Sequence, residues 1–162
     1  MAQSTVDNPY NSDQTLVFMA EAIREARDGL AEGGVPIGCV IVRNGQVVAR
    51  GHNRRIQRDS VILHAEMDCI ENAGRQIPSF YKECTIFTTL SPCAMCSGAI
   101  RLYGIPRVVI GENQNFRGDE TLLRENDVQV DVLNSIECQD LLADYIEKNR
   151  STWYEDIGRS GN

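Results

Sequence analysis

The chain has 162 residues, 42% of them hydrophobic, and its 16 Lys and Arg against 23 Asp and Glu give a net charge of −7. That length and balance suit one domain over residues 1–162 with one main core, and exclude disordered and collagen-like classes. The acidic surplus argues against a nucleic-acid partner gripped by its phosphates, and apolar runs as short as Ile37–Val42 exclude a membrane-spanning helix.

The first periodic stretch, Asn11–Glu32, predicts a helix. Leu16, Ala20, Ile23, Ala26 and Leu30 recur at spacings of three and four on one face, Ser12 or Asp13 can cap the start, and Gly33-Gly34 stops it. Ile37–Val42 reads as a buried strand and Gln46–Arg50 as a second. Asn44-Gly45 between them is the pair a two-residue hairpin turn prefers, because both positions need positive φ, so these strands should be antiparallel. Arg54, Arg55 and Arg58 follow in what reads as a solvated loop. The pattern then alternates: helix His64–Arg75, strand Thr85–Leu90, helix Pro92–Tyr103, strand Arg107–Gly111, helical piece Thr121–Asn126, strand Val128–Val132. Helix Ile136–Lys148 closes it, with Ile136, Leu141, Leu142 and Tyr145 or Ile146 available for burial. Strands joined through helices imply parallel neighbours in a sheet covered on its faces. The expected fold is α/β with a five-stranded mixed sheet, without repeats or linkers.

Met1–Asn11 is small, polar and broken by Pro9, with no charged-then-apolar leader, so a cytoplasmic location is expected. In that reducing setting the six cysteines should be buried hydrophobes, metal ligands or nucleophiles rather than disulfides. His52 and His64 are the only histidines.

Two short segments carry chemistry: His64-Ala65-Glu66 and Pro92-Cys93-Ala94-Met95-Cys96, each at the predicted start of a helix. Cys93 and Cys96 are three positions apart, nearly one helical turn, so both sulfurs can converge on one ion. The exposed N–H groups of that helix end favour thiolate, and Pro92 suits an early position that has no intrahelical partner for an N–H. One His and two Cys suit Zn²⁺ and leave the fourth tetrahedral position to water, the catalytic rather than the structural arrangement. Such a water becomes a nucleophile near neutral pH. Glu66, two residues from His64, can reach it as a proton shuttle. A lone Cys-x-x-Cys also marks redox pairs and structural zinc; a redox pair usually follows the first strand of a thioredoxin-like unit, and a structural site needs a fourth ligand that only His52 or a remote Cys could give. The paired signature, His-x-Glu followed by Pro-Cys-x-x-Cys, is that of zinc deaminases, in which the Glu is general acid and base.

With these segments the chain resembles the cytidine and deoxycytidylate deaminase superfamily, and more narrowly the small yeast-type cytosine deaminases. The resemblance extends over Glu32–Gly38, Gly51-His52-Asn53, Thr88–Cys93, Gly98–Ile100, Tyr103–Pro106, Gly111–Asn113, Asn115-Phe116 and Trp153–Gly158, and of these Asn115-Phe116 and the Trp153–Gly158 ending point to free cytosine. It implies a three-layer α/β/α fold, one catalytic zinc on His64, Cys93 and Cys96, proton shuttling by Glu66, and conversion of free cytosine to uracil and ammonia. It further implies that Asn53 reads the polar edge of the pyrimidine and that the N–H groups of Ala65 and Cys93 hold oxygens. Ser91 would offer its carbonyl to the departing amine, Phe116 and Trp153 would flank and cover the ring, and Asp156 would act near the amino group from the final helix. Relatives of this kind are homodimers, so a homodimer is expected. The sequence departs from the yeast-type pattern at Ala65, where that family has Gly; its methyl group adds bulk beside the pocket. A tRNA adenosine deaminase shares both zinc segments but needs a basic groove, against the acidic balance here. A guanine or isocytosine deaminase shares the core as well. A silent zinc-stabilised partner protein would lack Glu66 or hold a fourth ligand.

Overall fold

The computed structural model describes residues 9–160. Helix α1 spans Ser12–Ala31. Its start is fixed by Asn11 rather than by Ser12 or Asp13: Gln14 N donates to Asn11 Oδ1 at 2.8 Å and Asn11 N to Gln14 Oε1 at 3.2 Å, a reciprocal capping box. The buried face also differs from the expected one. Thr15, Phe18, Met19, Ala22, Ile23, Ala26 and Gly29 are buried, whereas Leu16 is 61% and Leu30 39% exposed. Both stripes obey helical spacing, so tertiary contacts choose between them. Phe18 packs on Tyr10 and Phe87 with ring centroids 5.1 and 5.3 Å away. The helix backbone at Ala22 lies so close to the sheet that a Cβ on Gly38 would sit 2.0 Å from Ala22 O. Gly38→Ala is therefore expected to destabilise the protein by about 3 kcal/mol or more, as overpacking against rigid backbone does; equilibrium urea unfolding checks this.

Strands β1 (Gly38–Arg43) and β2 (Gln46–His52) form the predicted hairpin. Its turn residues Asn44 and Gly45 have φ of 52° and 74°, the left-handed region that this dipeptide tolerates. Helix α2 (Ala65–Ala73) and the short α3 (Pro78–Tyr81) lead to β3 (Cys84–Leu90). Then follow α4 (Ala94–Tyr103), β4 (Arg107–Glu112), α5 (Glu120–Glu125), β5 (Gln129–Val132), α6 (Ile136–Lys148) and α7 (Arg150–Asp156). Of these, α3 has no counterpart among the expected elements, and α7 continues past Lys148, where the pattern of elements closes. Cys93 is the N-cap of α4, which places Pro92 ahead of the helix rather than in its first turn.

The sheet order is β2-β1-β3-β4-β5, with β1 antiparallel to both neighbours and β3, β4 and β5 parallel. The expectation that helix-joined strands are parallel neighbours holds for β3, β4 and β5. It fails for β2 and β3, because the hairpin folds β1 in between them. Alternation along the strands splits the core. Val40, Val42, Phe87 and Val109 face Phe18, Ala22 and Cys138 on the α1 side. Cys39, Ile41, Ile86, Val108 and Ile110 face Cys69, Ile100 and Leu123 from α2, α4 and α5. The result is a five-stranded mixed sheet between helical layers, as expected. On α6 the buried residues are Cys138, Leu142 and Tyr145, while Ile136 is 66% exposed. Cys39, Cys69, Cys84 and Cys138 are free and buried.

The arginine loop follows its sequence reading at Arg58, which is exposed, and departs from it at Arg54 and Arg55. Arg54 Nε donates to Asp68 Oδ2 at 3.0 Å, and the Arg55 side chain is 10% exposed beside Asp156. Acidic neighbours draw both guanidinium groups inward.

Candidate active site

Two helices aim their N-termini at one place. His64 is the N-cap of α2 and Cys93 that of α4, and neither side chain caps its own helix. Both are thereby free to act elsewhere, at the positive ends of two helix dipoles. His64 Nδ1 lies 3.5 Å from Cys93 Sγ and 3.8 Å from Cys96 Sγ, and the three potential ligand atoms all fall within 4.8 Å of one another. A tetrahedral zinc with ordinary Zn–N and Zn–S bonds holds its ligands about 3.5–3.8 Å apart. The donor set and its spacing therefore fit zinc, and His52 is not a fourth donor. Its Nδ1 lies 2.9 Å from Glu25 Oε2 and its Nε2 3.0 Å from Glu32 Oε2, on the α1 side.

The electrostatics favour a thiolate at Cys93. Cys93 falls to about 4, first because Cys96 hydrogen-bonds to it and then, against the effect of burial, because His64 does too. Cys96 moves up as the partner in that hydrogen bond and because it is buried. Burial works to lower His64, but the Cys93 hydrogen bond and the charges of Asp156 and Glu66 prevail and hold it at about 9. Glu66, two positions on and fully enclosed, is raised by burial and then by the Cys93 charge. Its Oε1 accepts a hydrogen bond from Thr88 Oγ1 at 2.8 Å. A carboxyl group lifted toward neutrality and gripped on one oxygen is suited to carry a proton both ways.

A small cavity of about 20 Å³ lies against this cluster, lined by Ile37, His64, Ala65, Glu66, Leu90, Ser91, Cys93, Phe116, Asp156 and Ile157. It adjoins an outer vestibule of about 400 Å³ that shares His64, Cys93, Phe116, Asp156 and Ile157 and adds Arg55, Arg117, Asp119 and Glu155. Asn53 and Trp153 stand one layer back. Asn53 Nδ2 donates to Asp156 Oδ1 at 2.7 Å and its Oδ1 accepts from Arg55 N at 3.1 Å. Trp153 is 4% exposed in the core and meets Phe116 edge-on at 6.4 Å. It braces the Phe116 ring rather than lining the cavity. Asp156 Oδ2 is 3.7 Å from His64 Nε2, linking α7 to the ligand cluster.

Ile37, Thr88, Leu90 and Ile157 lie in segments that carry the family resemblance, but the sequence assigns none of them a place in the site. Thr88 and Leu90 could have been found from strand alternation just before Cys93. Ile157 could have been found from its helical spacing with Trp153. Arg55 could not, because its partner Asp156 is about a hundred residues away in the chain.

Comparison with known proteins agrees with this geometry. The family model of the cytidine and deoxycytidylate deaminase zinc-binding region matches residues 12–112. A cytosine deaminase of Candida albicans is 55% identical over 138 residues, covering 85% of this chain and 92% of that protein. A tRNA-specific adenosine deaminase of Streptococcus pyogenes is 43% identical over 116 residues, covering 70% of this chain and 73% of that protein. A solved structure of a tRNA deaminase of the A-to-I editing type superposes with a TM-score of 0.64 at 29% identity, covering 78% of this chain and 99% of the other.

Proposed function

From the premise that this chain belongs to the cytidine and deoxycytidylate deaminase zinc-binding family, we propose that it converts free cytosine to uracil and ammonia. The observation that carries this reading is the 55% identity to a cytosine deaminase over 85% of the chain, joined to a small cavity at a His/Cys/Cys site with a buried glutamate beside it. The adenosine deaminases are more distant, and an acidic chain with charges of both signs around its vestibule is poorly suited to a tRNA backbone.

Zinc, when bound by His64, Cys93 and Cys96, supplies the Lewis acidity that makes water a nucleophile at neutral pH. Glu66 takes one proton of the attacking water and delivers it to the ring nitrogen beside the reacting carbon; it then takes the other, from the hydroxyl so added, and passes it to the amine as the C–N bond breaks and the carbonyl forms. Thr88 holds the carboxyl group in line for both transfers. The N–H groups of Ala65 and Cys93, at helix starts where no intrahelical acceptor is available, bind developing negative charge on oxygen. The Ser91 carbonyl accepts from the amine as it leaves, and Phe116 walls the ring with Trp153 behind it. Asp156 faces the amino group and is held by Asn53, whose carboxamide keeps one further N–H and one further lone pair for the pyrimidine edge.

The same reading includes a cytoplasmic pyrimidine-salvage role and a homodimer with no nucleic-acid or membrane partner. Among the described residues no helix is long and apolar enough to cross a membrane. The homodimer rests on the family resemblance, and a monomer in sedimentation at micromolar concentration would overturn it.

Ammonia release from cytosine and cytidine by zinc-loaded protein tests the substrate. Turnover of cytosine and none of cytidine is expected of a site that reads the bare base. Equal turnover of both, or of neither, contradicts the reading.

A further inference from the structure

Glu120 is 1% exposed at the start of α5, a buried carboxylate that the proton-transfer chemistry does not use. Its Oε1 accepts from Ser91 Oγ at 2.8 Å and from Asn113 Nδ2 at 3.0 Å. Its Oε2 faces Arg124 Nη1 at 3.5 Å and Arg117 Nε at 3.7 Å, both arginines being largely exposed. Ser91 Oγ in turn accepts from Gly118 N at 3.0 Å, and Asp119 N donates to Pro92 O at 3.1 Å. Gly118 is pressed so closely to this turn that a Cβ would lie 1.8 Å from Pro92 O. The segment carrying Phe116 is thus laid against the Ser91-Pro92-Cys93 turn, and Glu120 is the acceptor at which the two meet.

Burying a carboxylate is costly unless its oxygens are satisfied, and an apolar side chain of similar size would fill the same space without that cost. What an acceptor oxygen provides, and an apolar side chain does not, is direction. The peptide before Ser91 is anchored by the Ser91 N–H on Glu112 O at 3.0 Å, the one after Pro92 by Asp119 N on Pro92 O at 3.1 Å, and the Ser91 hydroxyl by Glu120, so the Ser91 carbonyl lies in a peptide held between three anchors. The geometry points to Glu120 as a positioning residue for the deamination: through the Ser91 hydroxyl it aims the Ser91 carbonyl at the departing amine, and through Asn113 and Gly118 it seats the Phe116 wall. The kinetic part of this inference rests on the proposed cytosine deamination; the placement of Phe116 does not.

The test uses Glu120→Ala, Glu120→Gln, Ser91→Ala and the Glu120→Ala/Ser91→Ala double variant, as zinc-loaded full-length protein. Two quantities are read: kcat on cytosine per bound zinc, and acrylamide quenching of Trp153, the only tryptophan of the chain. Glu120→Ala is expected to keep its zinc, lose at least about tenfold in kcat, as misplacement of reacting groups does, and raise the quenching of Trp153 as the Phe116 brace loosens. Ser91→Ala should lose a similar factor in kcat, and the double variant should be no worse than the lower single. Glu120→Gln, whose amide oxygen can accept both hydrogen bonds, should recover most of kcat and the wild-type quenching. A merely structural role would change the yield of folded protein but not kcat per zinc. Wild-type kcat and quenching in Glu120→Ala, or losses that multiply in the double variant, overturn the inference. Should Glu120→Ala not fold, Ser91→Ala decides it, and wild-type kcat in that variant is fatal. If the parent protein releases no ammonia from cytosine, the deamination reading fails by itself, and unchanged Trp153 quenching in the glutamate variants would then refute the seating of Phe116.

Discussion

With Glu66 replaced by Gln, the protein is expected to retain its zinc and its fold while kcat on cytosine falls at least about a hundredfold, the lower end of what a positioned acid and base contributes. The replacement is nearly isosteric in a site that is 3% exposed, and the amide oxygen can still accept from Thr88, so packing is preserved. What is lost is the ability to take and return a proton. The burial that raises Glu66 matters here, because a carboxylate of ordinary acidity would be a weaker base toward the proton of the attacking water. Zinc content by elemental analysis, alongside ammonia release, checks the expectation. A zinc-loaded variant within about threefold of the parent would show that the proton travels another way.

The second large effect falls on metal and stability together. Cys96→Ser should reduce bound zinc to a small fraction of one ion per chain and abolish turnover, because oxygen is a poorer partner than sulfur for this ion and only two good donors remain. Cys96 is fully buried, and its sulfur also hydrogen-bonds with Cys93, helping to keep that group low. Both ligand attachments are therefore weakened by one change. Zinc that binds only the folded state stabilises it by about 4 kcal/mol at a thousandfold excess over its dissociation constant. The parent should accordingly melt at a markedly higher temperature with zinc than after chelation, whereas Cys96→Ser should melt at nearly the same temperature in both. Differential scanning calorimetry with and without chelator reads this directly, and a variant still stabilised by zinc to the parent's extent would remove Cys96 from the ligand set.

Asn44-Gly45 gives the hairpin because each of the two residues tolerates positive φ, a property of the dipeptide and not of its surroundings. The metal ligands are legible for a similar reason. Cys93 and Cys96 are brought together by helical spacing alone, and the tie between His64 and Glu66 spans two residues. Only the meeting of the two segments needs the fold, and the paired motif already implied it.

The contacts that shape the rest of the site join distant parts of the chain. Asn53 and Asp156 are 103 residues apart and share a hydrogen bond; Ser91 and Glu120 are 29 apart. No local pattern distinguishes such a pair from two unrelated polar residues. Trp153 was expected over the ring and stands behind Phe116, since an aromatic residue in sequence does not reveal which ring is in front. Helix α1 teaches the same lesson at the level of packing. Its spacing is satisfied by two rotations about the axis, and the close approach of Gly38 to Ala22 together with the Tyr10, Phe18 and Phe87 rings selects one of them.

The sequence by itself therefore determined the hairpin, the α/β alternation and the His/Cys/Cys donor set with a glutamate beside it, all of which follow from backbone preference or from chemistry within a few residues. The tertiary structure alone decided that β1 inserts between β2 and β3, which face of α1 is buried, and how α7 and the Phe116 segment enclose the cavity. Those features depend on contacts between segments distant in the chain, where the gain from burial and hydrogen bonding is shared between partners and neither partner's sequence records it.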